Sequence, residues 1–248
     1  MIIEENGKKS IQDFAIIIGA MKSGTTTLFN YLIQHQQIAG SRQKEPNFFR
    51  MKTKWARGKA FYLRQWPGFD PTVHRYALEA STNYTKAPAS AAVPRRIGAF
   101  GGNFRYIYIL RNPIDRIESH VAHNIAKGRT RFDAVDGRLP RHVVQVSRYA
   151  YQLDTFRAAL GDPEILLLDF DALRAAPLAV AERCVEFLGL EPFAFAAVEP
   201  ANTRKSENRA SEFRLAAEQR ALLARRLRRD VRRLRDHYGF DVSGWGIL

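Results

Sequence analysis

The sequence predicts an α/β fold: a single domain over residues 1–248, with a central parallel sheet flanked by helices on both faces. Three observations carry this expectation. Short, continuously apolar runs rich in β-branched residues recur along the chain. Each gives way to an amphipathic helical pattern, and glycine or proline stands at the boundaries, as at Gly19, Pro113, Pro177 and Gly189.

The first strand is predicted over residues 14–18, where Phe14, Ala15, Ile16, Ile17 and Ile18 form an unbroken apolar run of the kind buried on both faces of a parallel sheet. It ends at Gly19. From Thr26 onward Leu28, Phe29, Tyr31, Leu32 and Ile33 recur at helical spacing, so strand, tight loop and helix open a βαβ unit. Residues 77–80 predict a shorter strand. Residues 105–110 predict a second buried one, after which Pro113 suits the start of a helix carrying Asp115 through Asn124. A helix over 149–160 is bounded by Gly161-Asp162-Pro163, a third strand runs over 164–169, and a helix over 177–188 closes at Gly189. Residues 211–237 predict a long helix carrying Arg225, Arg226, Arg228, Arg229, Arg232, Arg233 and Arg235. Its apolar stripe of Leu222, Leu223, Leu227, Val231 and Leu234 suggests that it packs on the domain and keeps a solvated basic face.

The 248 residues are 46% hydrophobic and 26% charged, which is ordinary for a folded soluble domain and argues against disorder. No stretch approaches the ~18–20 apolar residues that span a bilayer, and the N-terminus lacks a basic region followed by an apolar run, so a cytoplasmic location is expected. Cys184 is the sole cysteine, which excludes an intramolecular disulfide, and its amphipathic surroundings mark it as core filling. The formal net charge of +14 concentrates anionic ligands near the chain. A nucleotide, an anionic glycan and an acidic membrane surface, touched peripherally, are all compatible with it.

The chemistry centres on Gly19-Ala20-Met21-Lys22-Ser23-Gly24-Thr25-Thr26-Thr27. A P-loop-like turn joining a buried strand to a helix surrounds a phosphate with backbone N–H groups at the positive end of the helix. A nucleoside triphosphate loop would place lysine after the second glycine and a hydroxyl on Mg²⁺ next to it. Here Thr25 takes the lysine place and Lys22 lies inside the loop, which disfavours ATP hydrolysis and leaves no requirement for a metal. Lys22, Ser23, Gly24, Thr25, Thr26 and Thr27 are therefore the candidate phosphate-binding residues, with Lys22 also a candidate for steadying charge during reaction. Arg111 stands at the end of the 105–110 strand and Ser119 lies two helical turns further, so the pair could hold a second phosphate.

With both motifs in place, the sequence resembles the superfamily of sulfotransferases that use 3'-phosphoadenosine 5'-phosphosulfate (PAPS). The likeness is greatest to the heparan sulfate type of domain and to small bacterial sulfotransferases. The 5'-phosphosulfate loop of that family is similar to Gly19 through Thr27, and its 3'-phosphate motif is similar to Leu110-Arg111-Asn112-Pro113-Ile114-Asp115-Arg116 with Ser119. Further likeness lies in Lys44-Glu45-Pro46-Asn47-Phe48-Phe49, Gly58-Lys59-Ala60-Phe61-Tyr62, Glu79-Ala80-Ser81-Thr82-Asn83-Tyr84 and Asp241-Val242-Ser243-Gly244-Trp245. The resemblance implies PAPS as co-substrate, with its 5' end on Lys22 to Thr27 and its 3'-phosphate on Arg111 and Ser119. It also implies that a late loop carrying Arg204, Lys205 and Arg209 helps to close the site.

The resemblance further implies a catalytic base at Glu45, whose partial burial beside Phe48 and Phe49 would raise its pKa. His120 and His123 remain alternative bases. Glu79, Ser81 and Tyr84 are candidate acceptor-binding groups, and Trp55, Phe61, Tyr62 and Trp66 are expected to build the wall of the cleft. One departure stands out: Ala80 occupies the place where heparan sulfate enzymes usually carry lysine, so a cation at the reacting group must come from Lys22 or from elsewhere. The expected activity is in-line sulfuryl transfer to the hydroxyl of a carbohydrate or small natural product. Two other readings remain in view: an ATP-dependent phosphotransferase, and a nucleic-acid-binding protein using the arginine-rich helix. Nucleic acid is not the expected partner.

Overall fold

The computed structural model describes residues 4–5, 8–9, 11–129, 139–198 and 213–248. A small antiparallel pair, β1 (Glu4–Glu5) and β2 (Lys8–Lys9), precedes the main chain path. The path continues through β3 (Asp13–Gly19), α1 (Thr25–Leu32), β4 (Ile38–Gly40), α2 (Lys52–Trp55), α3 (Gly58–Leu63), β5 (Tyr76–Ala80), α4 (Ala92–Phe100) and β6 (Asn103–Leu110). It then runs through α5 (Pro113–Ala126), α6 (Arg141–Val146), α7 (Tyr149–Leu160), β7 (Ile165–Asp169), α8 (Phe170–Ala175), α9 (Pro177–Leu188) and α10 (Ala217–Tyr238), and ends in a 3₁₀ turn at Ser243–Trp245.

Five strands form one sheet in the order β4-β5-β3-β6-β7, and every pairing in it is parallel. The expected architecture is thus the observed one. The central strand shows why its run was unbroken. Phe14, Ile16 and Ile18 enter the core on one face, while Ala15 and Ile17 enter the core on the other. The first core is strongly aromatic: Phe14 stacks on Phe104 with ring centroids 5.0 Å apart, and Phe48 stacks on Tyr62 at 4.6 Å. The second core holds Cys184, fully buried, with burial pushing its thiol up to about 12. That is a packing role.

The basic C-terminal helix docks as its stripe implied. Leu223, Leu227, Val231 and Leu234 are buried, and the Asp230 carboxylate accepts hydrogen bonds from the Ala150 and Tyr151 amides at the start of α7, at 3.1 and 3.0 Å. Arg220 reaches Asp115 and Glu118 on α5 at 2.9 and 2.8 Å. Two details differ from expectation. The helix begins at Ala217, not near 211, and Leu222 stays 38% exposed, at the rim of the stripe. The seven arginines named above are exposed, on a helix whose other side is committed to the domain, with Arg233 paired to Asp154 on α7 at 2.8 Å and Arg228 donating to the Ile247 carbonyl at 3.2 Å. Among the described residues no helix is long and apolar enough to cross a membrane.

Sequence reading missed β1, β2, β4, α4 and the short helices α2, α3, α6 and α8. Most are too brief to show a period, and α4 contains Pro94 and Gly98, both of which count against a helix.

Candidate active site

In a parallel sheet the loops that leave the carboxyl ends of neighbouring strands share one edge, and β3 and β6 are neighbours. The loop after β3 is bonded to β6 directly, because the Ala20 amide donates to the Ile109 carbonyl at 2.9 Å. Two non-extended residues shape it. Lys22 has φ 73° and Gly24 has φ 78°, left-handed values that turn successive amides toward one centre. A Cβ at Gly24 would lie 2.9 Å from Leu173 Cδ2, so α8 presses the loop from behind. Gly24 also caps α1, whose first turn has no side-chain cap and no acidic residue. Its leading N–H groups and positive end are thereby left to an anion. Ser23 is fully buried in this loop, and its hydroxyl has no hydrogen-bond partner among the described residues. A buried hydroxyl without a partner is costly, and a phosphate oxygen would satisfy it.

Thr25 opens α1 and accepts from the Lys44 ammonium at 3.4 Å; Thr26 and Thr27 follow it, half-buried, in the same turn. Arg111, at the end of β6, donates to the Lys22 carbonyl at 3.2 Å, and its guanidinium lies 4.7 Å from the centre of the Phe170 ring. Arg111 of the second predicted anion site therefore touches the loop that forms the first. Ser119 is nearly buried on α5, the helix that follows Arg111, with Asn112 capping it through the Ile114 amide at 3.0 Å. Arg204, Lys205 and Arg209 lie outside the described residues.

Glu45 sits on the loop after β4, 36% exposed. Its Oε1 accepts from Thr82 Oγ1 at 3.1 Å and pairs with Lys44 at 3.4 Å. Lys44 thus bridges Glu45 to Thr25, and burial lowers its amine pKa. The loop is fastened to the residues after β5: the Asn47 amide donates to Ser81 Oγ at 3.1 Å, and Asn83 Nδ2 donates to Asn47 Oδ1 at 2.9 Å. Phe48 and Phe49 point into the core at 1% and 0% exposure, so they anchor the loop from beneath.

The expectation that Glu79, Ser81 and Tyr84 face an acceptor requires correction. They are 0%, 0% and 1% exposed and bond to one another. Glu79 Oε1 accepts from Tyr62 and Tyr84 at 2.6 and 2.9 Å, Oε2 accepts from Ser81 at 2.6 Å, and burial raises the carboxyl to about 7. A carboxylate with three donors in the core is a clamp for the overlying loop. Tyr84 confirms this role by accepting from the Phe49 amide at 3.3 Å. Tyr62 and Trp66 belong to the core, and Trp55 and Phe61 are packed against it.

The histidines separate. His120 is buried, and its Nδ1 lies 3.2 Å from an Arg116 nitrogen that can only donate, so that lone pair is occupied. Burial, then Arg116, push its pKa down to about 2, which removes it as a base for an acceptor. His123, one turn on, is half-buried, its pKa lowered by burial and then by the nearby Lys22 charge. Sequence reasoning missed three further groups: Lys44, Thr82 and Lys86. Lys86 Nζ contacts Met21 Sδ in the phosphate loop at 3.2 Å. Lys44 had a signal in its place beside Glu45, and Thr82 lay in the family-like segment 79–84 without a role of its own; Lys86 had no signal apart from the three-dimensional path.

The family model described as "Sulfotransferase family" matches residues 15–194. Among curated proteins the chain is similar to the bifunctional heparan sulfate N-deacetylase/N-sulfotransferase 4 of Mus musculus, 24% identical over 196 residues that cover 71% of this chain and 22% of the relative. It is also similar to heparan sulfate glucosamine 3-O-sulfotransferase 6 of Homo sapiens, 27% identical over 189 residues covering 71% of this chain and 52% of the relative. The chain thus spans at most about half the length of these relatives. Among solved structures, a sulfotransferase from Alicyclobacillus acidocaldarius shares the fold with a TM-score of 0.75 at 22% identity, covering 94% of this chain and 98% of that one. Mouse sulfotransferase SULT7A1, solved in complex with PAP, superposes with a TM-score of 0.52 at 18% identity, covering 92% of this chain and 88% of that one. With its family model matched from β3 to beyond α9, the chain belongs to the sulfotransferase family.

Proposed function

We propose that the protein transfers the sulfuryl group of PAPS to an acceptor hydroxyl, with Glu45 as the base. The observation that carries this reading is the joined double anion site. A loop with an unpartnered buried Ser23 hydroxyl lies at the bare N-terminus of α1, and Arg111 is bonded to the Lys22 carbonyl in that same loop. One nucleotide bearing phosphates at both ends of its ribose would satisfy both.

In the proposed reaction the acceptor oxygen attacks sulfur in line, forming one S–O bond as the bond to the bridging phosphate oxygen breaks. Glu45 takes the hydroxyl proton, and the departing phosphate keeps the electron pair. Its new charge falls on the loop amides, the Ser23 hydroxyl and Lys22, with the amides held in place before reaction. Thr82 and Lys44 hold Glu45 toward the loop. The similarity to a heparan sulfate glucosamine 3-O-sulfotransferase makes carbohydrate hydroxyls the first acceptor class to examine.

Sulfate transfer from radiolabelled PAPS measures the reading directly. Lys22→Ala and Glu45→Gln are each expected to lower the rate by about 10²–10³-fold. Unchanged rates in both would overturn it. Calorimetry separates the phosphotransferase alternative: 3'-phosphoadenosine 5'-phosphate (PAP) should bind without Mg²⁺ and more tightly than ATP with Mg²⁺.

A further inference from the structure

Lys86 is a cation without an adequate partner. Its position is fixed at three points. Its own amide donates to Ser90 Oγ at 2.8 Å, the preceding Thr85 hydroxyl donates to the Ile18 carbonyl at 2.8 Å, and the following Ala87 amide donates to Gln152 Oε1 at 2.8 Å. From this anchored backbone the half-buried side chain runs to the phosphate loop. There its ammonium meets Met21 Sδ at 3.2 Å, its sole hydrogen-bond partner among the described residues. An ammonium has three N–H donors, and a thioether is a weak acceptor. Leaving such a group partly desolvated and poorly bonded costs free energy unless an anion arrives to complete it.

The charged surroundings sharpen the point. Glu45 is the acid that acts on Lys86, while Arg116, Arg50 and Arg129 oppose its charge. His120 and His123, on α5, both register that charge. Burial, set against the pull of Glu45, brings the amine down to about 8. The cluster is therefore short of negative charge at the one place where Lys86 touches the loop and feels the candidate base.

We propose that Lys86 is a further catalytic residue, whose ammonium donates to the sulfuryl oxygens as the group passes from the nucleotide to the acceptor beside Glu45. The assignment rests on the sulfuryl-transfer reading. It gives Lys86 a task distinct from that of Lys22, which serves the departing phosphate. The charge on the moving group is met by a donor whose partner in the protein is only a weak acceptor. Lys86 acts in its protonated form. With an amine near 8, the rate constant for free enzyme and substrate falls as pH rises through that value.

The test compares wild type, Lys86→Met and Lys86→Arg in transfer from radiolabelled PAPS to heparosan oligosaccharides and to p-nitrophenol, with PAP affinity measured in parallel. Lys86→Met is expected to lower kcat by about 10–100-fold while PAP, which lacks the sulfuryl group, binds within about threefold of wild type. Lys86→Arg is expected to retain part of the rate and to move the alkaline limb beyond pH 8, since a guanidinium does not titrate there. Three results would overturn the assignment: a Lys86→Met rate within threefold of wild type, a PAP affinity that falls in step with the rate, or an alkaline limb unmoved in Lys86→Arg. Wild type that neither binds PAP nor transfers to either acceptor sinks the sulfuryl-transfer reading and this one with it. Wild type that transfers while Lys86→Met keeps pace sinks this one alone.

Discussion

The two sides of the candidate site are built by different means. On the proposed nucleotide side, the loop after β3 is shaped mainly by backbone: left-handed Lys22 and Gly24, the bare end of α1, and one hydroxyl on Ser23 without a partner among the described residues. On the acceptor side, the Glu45 loop has no regular structure of its own and hangs from a buried side-chain network. Glu79 gathers Tyr62, Tyr84 and Ser81, and Ser81 and Tyr84 in turn accept the Asn47 and Phe49 amides. A loop made of backbone tolerates side-chain change at its rim. A loop hung on one carboxylate is held by that carboxylate.

The comparison predicts its own largest effect. Glu79→Ala leaves three buried hydroxyls without their acceptor, and loss of such a hub is expected to cost about 3–5 kcal/mol. The melting temperature should fall by about 6–20 °C, at about 2–4 °C per kcal/mol for a chain of this size. A loss below about 1 kcal/mol in chemical denaturation would show that the acceptor loop is held by something else.

The same carboxyl supplies a pH signature. Burial holds it at about 7 in the folded chain against an ordinary 4.5, so the folded state grips this proton more tightly than the unfolded state does. Its contribution to stability is complete below about pH 4.5, declines as pH rises, and is lost above about pH 7. The gap corresponds to about 3 kcal/mol. Glu79→Gln cannot titrate, and the stability difference between variant and wild type should shift by that amount between pH 4.5 and pH 8. A difference that stays constant across the range would mean that the carboxyl is ionised throughout.

This contrast also explains what the sequence disclosed. The β3 loop was legible because backbone-built sites depend on neighbours in the chain: an apolar run, two glycines, and a helix that begins at once. That Arg111 follows a strand and Ser119 lies on the helix after it was legible for the same reason, since strand and helix fix their spacing. Glu79 was legible as a residue of interest but not in its role. Whether a strand-end carboxylate faces solvent or core depends on Tyr62 and Tyr84, and neither pairing is encoded in local pattern. Lys86 was invisible, because its contact with Met21 spans two strands' worth of intervening fold. The long arginine-rich helix marks the opposite case. Its apolar stripe outweighed its charge, and the structure docks that stripe on α5 and α7.

A smaller effect is expected on the nucleotide side. Gly24 combines a left-handed φ with Leu173 behind it, where an added Cβ would lie 2.9 Å from a methyl group. Gly24→Ala strains the turn by about 1–2 kcal/mol. If the leucine yields, most of that strain appears as a weaker grip on the nucleotide. PAP affinity is therefore expected to fall about tenfold, with the acceptor KM little changed. The reverse split would place Gly24 on the wrong side of the comparison.

The smallest change tests whether Glu45 is oriented from the acceptor side alone. Thr82 follows the Glu79 network and donates to Glu45 Oε1 at 3.1 Å. Thr82→Val keeps the shape of the side chain and removes one donor to a carboxylate, a loss of about 1 kcal/mol. If that bond only aims the base, kcat should fall about fivefold while PAP affinity and melting temperature hold. A fall in PAP affinity of the same size would mean that Thr82 also reaches the nucleotide side through Lys44, which touches both Glu45 and Thr25. The two halves of the site would then share one network, and the division between backbone-built and network-built loops would fail at Lys44.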